Sequence, residues 1–249
     1  MKSIHKFITT IVYFGIQGDS MEHIYQEPQF GPPYFRYPDL YREAVENSSD
    51  GSHFVEVGCF LGKSTAFMSV EIYNSGKKIK FDAIDHWDPT LLPGIDDGRE
   101  FEDVTNAGFI ISEPVRQHFE KTHKILKDWG FHYQQVPAIK ENRFYETFLE
   151  NMKDLIDLGL CNPIKMMSVD ASKLYEDKSL DFVLIDGAHD YVSVCNDIQA
   201  WFPKVKSGGI LAGDDWFYPG IQHAVRKYLE GKTHLTILPL QNAWKAEIL

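Results

Sequence analysis

The feature that most restricts the fold is a recurring pattern, a short apolar run ending in glycine or an acid and followed by a helical stretch. HFVEVG (53–58), IKFDAID (79–85) and DFVLID (181–186) have the length and the β-branched and aromatic content of buried strands. Helical spacing follows the first over Ser64–Tyr73 and the third over Tyr191–Phe202. A strand–helix–strand succession closes as parallel strands joined by right-handed crossovers. Further strands are expected over Ile164–Val169 and Ile210–Ala212, with helices over Asp39–Asn47, Glu146–Leu158 and Ile221–Leu229. His234–Leu238 and Ala243–Ile248 have only a short turn region between them, which predicts an antiparallel closing hairpin. The expected fold is α/β, a doubly wound, mostly parallel sheet of seven strands with that hairpin at its C-terminal end.

Two segments fall outside this rhythm. Residues 1–38, with Pro28, Pro32, Pro33 and Pro38 among aromatics, read as an arm. Its apolar stretch Phe7–Ile16 lacks a small-x-small cleavage site and falls well short of the ~20 residues that span a bilayer. Residues 39–249 read as one domain interrupted at about 87–144, a stretch with turn signals and one helix expected over Pro114–Asp128. Long insertions at the carboxyl edge of such sheets tend to cover a site, so a lid or acceptor region is expected there. The net charge of −11, with no Lys/Arg block, argues against a nucleic-acid partner, and no membrane partner is expected. Cys59, Cys161 and Cys195 lack metal-site spacing, which fits a reducing, cytoplasmic setting.

Ligands of open α/β sheets bind beyond the carboxyl ends of the strands, so residues just after strands carry the chemistry. After the first strand stand Glu56, Gly58, Gly62, Lys63 and Ser64. A phosphate-binding P-loop needs four residues between its glycines, and here Cys59-Phe60-Leu61 supplies three, so a phosphotransferase is the weaker reading. Asp85 ends the second strand, where a carboxylate can accept ribose hydroxyls. Asp186 ends a later strand, and Asp214-Asp215 end the next. Parallel neighbours lie about 4.8 Å apart, so these three acids can converge, and a hard cation such as Mg²⁺ or Mn²⁺ relieves their repulsion. His189 sits three residues beyond Asp186, on the same lip.

The succession E-x-G-x-x-x-G-x-S, then Asp85, resembles the S-adenosyl-L-methionine pocket of Rossmann-like class I methyltransferases, especially the catechol and macrocin-type O-methyltransferases. DFVLIDGAHDY (181–191) resembles their fourth-strand motif and GGILAGDDW (208–216) their fifth. The resemblance implies that Glu56, Gly58, Gly62 and Ser64 line the methionine moiety and that Asp85 holds the ribose. It places His86 or Trp87 beside the adenine, Asp170, Ala171 and Ser172 at the adenine edge, and Asp186 at the donor as well. His189 would be the catalytic base, with Asp186 the second candidate, and Asp186, Asp214 and Asp215 would hold the metal. Tyr191 and Trp216, with the insertion, would face a small hydroxylated acceptor such as a sugar or catechol-like diol. A non-catalytic nucleoside-binding module is the other alternative, and a homo-oligomer is left open.

Overall fold

The computed structural model describes residues 20–31, 35–88 and 137–249. Most of the expected lid, including its helix over 114–128, and the stretch Phe7–Ile16 lie outside the described residues.

Strands β1 (His53–Val57), β2 (Lys80–Asp85), β3 (Asn162–Lys165), β4 (Leu180–Ile185), β5 (Val205–Gly213), β6 (Thr233–Leu238) and β7 (Ala243–Ile248) form one sheet. Their order is β3-β2-β1-β4-β5-β7-β6. Only β7 runs antiparallel to its neighbours, β5 and β6. The expected doubly wound sheet and its closing hairpin are therefore present. The chain steps outward from β1 to β3 and then returns to β4 on the other side of β1. That reversal leaves a crevice beyond the carboxyl ends of β1 and β4.

The helices are α1 (Pro38–Glu46), α2 (Lys63–Ser75), α3 (Pro137–Lys140), α4 (Phe144–Asp157), α5 (Ser168–Ser172), α6 (Tyr191–Trp201) and α7 (Pro219–Leu229). Successive strand side chains point to opposite faces, and this alternation divides the core in two. Phe54, Phe182 and Leu184 pack with Tyr41, Phe67 and Phe148 from α1, α2 and α4. Val55, Val183 and Ile185 pack with Ile198 and Trp201 from α6 and Val225 from α7. Central strands covered on both faces must be apolar almost throughout, which is why their sequence runs are nearly continuous. Glu56 shares a face with Phe54, so its carboxyl enters the α1/α2 side of the core. The arm lies across α2: His23 stacks on Phe67 with ring centres 4.3 Å apart, and the Lys63 ammonium donates to the Tyr25 carbonyl.

Two expectations need correction. Strand β3 ends at Lys165, and Ser168–Ser172 is helical, so the expected strand Ile164–Val169 is too long and shifted. Strand β5 begins at Val205 and runs through Gly208-Gly209 to Gly213, longer at both ends than the expected Ile210–Ala212. The pairing with β4 slips between Leu180 and Phe182, and the φ of +76° at Gly208 absorbs the extra residues as a bulge. Among the described residues, no helix is long and apolar enough to cross a membrane.

At the sheet's opposite end, Asp82 is 1% exposed and accepts from Asn162 Nδ2 at 2.8 Å and the Tyr175 hydroxyl at 3.0 Å. It also pairs with His53 Nε2 at 2.6 Å. Burial alone would raise its pKa, but these partners, His53 foremost, hold it at about 2. The folded value lies below the ordinary carboxylate value, so Asp82 contributes stability above pH 4 that is lost as pH falls from about 4 to about 2. The contribution is on the order of 2 kcal/mol. Asp82→Asn is expected to cost that much in urea denaturation at pH 6 and much less near pH 2.5.

Candidate active site

The turn after β1 is built on close backbone approach. Gly58 has a φ of +89°, and a Cβ there would lie 2.0 Å from the Asp186 carbonyl oxygen and 2.7 Å from Gly187 Cα. Only glycine lets the β1 and β4 tips meet this closely. At Gly62, φ is +93° and a Cβ would lie 2.8 Å from Met152 Sδ, so glycine also seats the start of α2 against α4.

Asp85 braces this turn. Its Oδ2 accepts from the backbone N–H groups of Cys59 at 2.9 Å and Phe60 at 3.0 Å, and its Oδ1 from that of Trp87 at 2.8 Å. Three of roughly four acceptor positions on the carboxylate are therefore used within the protein. The same bonds remove two loop N–H groups that a P-loop would direct at phosphate.

Glu56 has no exposed surface. The Ser64 hydroxyl donates to its Oε1, and the hydroxyls of Tyr41 and Thr65 also lie close enough to act on the same carboxylate. Burial raises the Glu56 pKa to about 7 against the lowering effect of the Ser64 bond. Two residues expected to line the donor thus bind each other beneath the turn.

The residues expected beside the adenine have partners within the protein. Trp87 is 2% exposed, donates its indole N–H to the Phe60 carbonyl at 2.9 Å and packs on Tyr145 and Phe148. It is part of the core here, not an open flank. His86 is half-buried, and its Nδ1 accepts from the Asp88 N–H. Because β3 ends early, Asp170, Ala171 and Ser172 sit within α5. Asp170 pairs with Lys173 in solvent, Ala171 is buried, and the Ser172 hydroxyl donates to the Val169 carbonyl. Ser168 is the first residue of α5. Its hydroxyl donates to Asp197 of α6 and accepts from Trp201 Nε1 at 2.9 Å. Burial lifts Asp197 to about 6. Sequence reasoning missed Asp197.

Beyond β4 and β5, Asp186, His189 and Asp215 each offer a ligand atom, and these atoms lie within 4.8 Å of one another. His189 Nε2 is 2.9 Å from Asp215 Oδ2 and 3.7 Å from Asp186 Oδ1. The Asp190 side chain caps α6 by accepting from the Ser193 N–H at 2.9 Å, which fixes where the loop bearing His189 ends. Asp215, just beyond the tip of β5, has a left-handed backbone with φ +58°. Asp214 stands outside the trio. Its Oδ1 is buried without a partner, and it lines a cavity of about 10 Å³, room for about one water, with Asp186, His189 and Trp244.

The charges are mutually dependent. Burial, and then the charges of Asp215 and Asp186, push Asp214 well above the carboxylate range. Burial also raises Asp186, while its bond to His189 works the other way. Burial opposes charge on His189, but Asp215 and Asp186 outweigh it and lift its pKa well above the ordinary value. Asp215 is lowered because His189 overcomes its own burial. Negative charge is thus concentrated here, and His189 and Arg36 are the cationic groups that act on Asp215.

The expected convergence of Asp186 and Asp215 is present, with His189 rather than Asp214 completing the trio. Tyr191 and Trp216, expected at the acceptor, are 6% and 7% exposed and belong to the core between β4, α6 and α7. The Tyr191 hydroxyl instead receives a hydrogen bond from Lys227 at 3.2 Å. Tyr37 and Asn242, unsuspected from sequence, donate to Asp186 and Asp215.

Residues 55–216 match a family model described as "Methyltransferase domain". No curated protein matches the chain. Among solved structures, the O-methyltransferase NovP is similar with a TM-score of 0.53 at 15% identity, over 86% of this chain and 79% of NovP. A Corynebacterium glutamicum protein is similar at a TM-score of 0.50 and 12% identity, over 99% of this chain and 97% of that one. SAH-bound methyltransferase PaMTH1 from Podospora anserina gives 0.50 at 10% identity, over 85% and 77%. At such identities the likeness is one of fold. A family match running from β1 past the tip of β5, on a sheet of this order, leaves one assignment: the chain belongs to the methyltransferase-domain family and is a class I, S-adenosylmethionine-dependent methyltransferase.

Proposed function

We propose that the protein is a divalent-cation-dependent O-methyltransferase of the macrocin or catechol type, acting on a hydroxyl of a small polyhydroxylated acceptor. The observation that carries this is the meeting of Asp186, His189 and Asp215 within 4.8 Å, beside the turn at Gly58. The donor set fits a hard cation. Two carboxylates face one point, and the buried, unpartnered Oδ1 of Asp214 stands next to them. Asp186, Asp215 and Asp214 are the residues that would hold Mg²⁺ or Mn²⁺. Such an ion supplies positive charge that lowers the pKa of a hydroxyl bound to it.

The chain's own residues do the rest. The Gly58 turn bounds the methionine end of the donor, and Asp85 retains one acceptor position that a ribose hydroxyl could use. Methyl transfer is an in-line displacement. An acceptor oxygen pair forms the new O–C bond, the C–S bond breaks, and adenosylhomocysteine leaves as a neutral thioether. The acceptor proton goes to His189, whose side chain is 41% exposed on the lip. Asp215 and Asp186 favour the protonated form of His189, and a cation held by these carboxylates would weaken that preference. Vicinal hydroxyls would suit a cation held by these residues, because a hard ion takes oxygen donors. The O-methyltransferase NovP, similar in fold, is in keeping with oxygen as the accepting atom.

The test is transfer of labelled methyl from S-adenosylmethionine to a panel of catechols and sugars, with Mg²⁺ or with EDTA. Turnover on at least one diol is expected to fall about 100-fold on chelation and to return with Mg²⁺ or Mn²⁺. Turnover that is unchanged in metal-free buffer contradicts the reading.

A further inference from the structure

Each carboxylate facing His189 is gripped from behind by a residue near one end of the chain. The Tyr37 hydroxyl, just ahead of α1, donates to Asp186 Oδ2 at 2.7 Å and leaves Oδ1 directed toward His189 Nε2 at 3.7 Å. Asn242, just ahead of β7, donates from Nδ2 to Asp215 Oδ1 at 3.0 Å and leaves Oδ2 at 2.9 Å from the same nitrogen. One oxygen of each acid is therefore committed outward and the other presented inward. Tyr37 is 1% exposed and Asn242 6%, so little water competes for either donor.

Asn242 does more than donate once. Its side-chain oxygen accepts from the Phe217 N–H at 2.9 Å, and its carbonyl accepts from the Trp216 N–H at 2.9 Å. Asn242 and Asp215 both hold left-handed backbone conformations, at φ +52° and +58°. The β6–β7 turn is thereby laced to the loop that carries Asp215. Gln241 in the same turn accepts from the Leu40 N–H of α1 at 3.2 Å, which joins it to the helix that Tyr37 precedes. Arm and C-terminal hairpin form one bracket around the two acids.

We propose that Tyr37 and Asn242 are positioning residues that orient Asp186 and Asp215 so that one oxygen of each faces a common point, preorganising the pair for a divalent cation. The proposal rests on the cation reading above and deepens it. A carboxylate free to rotate must be ordered when it binds an ion, whereas one held by an outer donor is already aimed. Outer donors of this kind typically change metal affinity 10- to 100-fold.

The test is Mn²⁺ titration of the full chain, followed by the paramagnetic resonance of the free ion, for wild type, Tyr37→Phe, Asn242→Gly and Asp215→Ala. Phenylalanine removes only the hydroxyl, so Tyr37→Phe should melt near the wild-type temperature. Glycine accepts a φ of +52° without strain but also loses the bond from the Phe217 N–H, so Asn242→Gly should melt lower. Tyr37→Phe carries the test alone if Asn242→Gly fails to fold. Wild type is expected to bind one Mn²⁺ that Asp215→Ala does not, and each positioning variant is expected to bind it about 10- to 100-fold more weakly. Affinities within threefold of wild type overturn the proposal. If wild type binds no Mn²⁺, the cation reading falls, and metal-free crystal structures of the variants decide the positioning claim. Carboxylates 186 and 215 turned away from their wild-type orientation uphold it, and unchanged carboxylates overturn it.

Discussion

Asp215→Asn is expected to lower methyl transfer by on the order of 100-fold or more while leaving the melting temperature within a few degrees of wild type. Asparagine is among the residues best suited to a φ of +58°, and its side-chain oxygen can still accept from Asn242. The substitution therefore keeps the loop and removes the charge. That charge lies 2.9 Å from His189 and is the largest influence raising its pKa. Without it, one of two inward carboxylates no longer attracts a cation, and the imidazole drops back toward its ordinary pKa. Initial rates at saturating S-adenosylmethionine, with calorimetric melting alongside, check both halves. Near-normal turnover would place Asp215 outside the reacting cluster.

Gly58→Ala is expected to act on stability and donor binding together. The added Cβ would meet the Asp186 carbonyl carbon at 2.4 Å and its oxygen at 2.0 Å. Both are backbone atoms, and Asp186 N–H is itself bonded to the Val57 carbonyl at 2.7 Å, so neither tip can yield without breaking the β1–β4 junction. The φ of +89° adds strain of its own for any residue with a Cβ. A loss on the order of 4 kcal/mol follows, or about 10 °C in melting temperature for a domain of this size. Differential scanning calorimetry measures it. Adenosylhomocysteine should no longer shift the melting curve, because the displaced turn is the one expected to face the donor. A variant that melts within 2 °C of wild type would show that the tips approach less closely than described.

The strands that sequence revealed best are those buried on both faces. Phe54-Val55 and Phe182-Val183-Leu184 have no room for polar side chains, so composition and structure agree there. Edges and bulges were harder. β3 contains a proline and pairs only with β2, and its residues carry too little apolar signal to mark where it ends. Gly208-Gly209 usually signals a break, and only pairing with β4 shows that the strand bulges and continues. At the site, placement after strands identified Asp186, Asp215 and His189, because strand ends are visible in the hydrophobic pattern. The direction of side chains was not visible. Asp214 and Asp215 are adjacent, and a left-handed φ at Asp215 decides that it faces His189. Tyr191 and Trp216 follow strand tips as expected, but their rings turn inward to fill the core against α7. Tyr37 lies 149 residues from Asp186, a separation that no local pattern can bridge.

Anomalous diffraction from crystals grown with Mn²⁺ and adenosylhomocysteine tests the account most directly. It predicts one manganese peak touching Asp186 and Asp215, with the nucleoside lying across the Gly58 turn and its sulfur toward the metal. A fully occupied nucleoside with no manganese at those two carboxylates would contradict it.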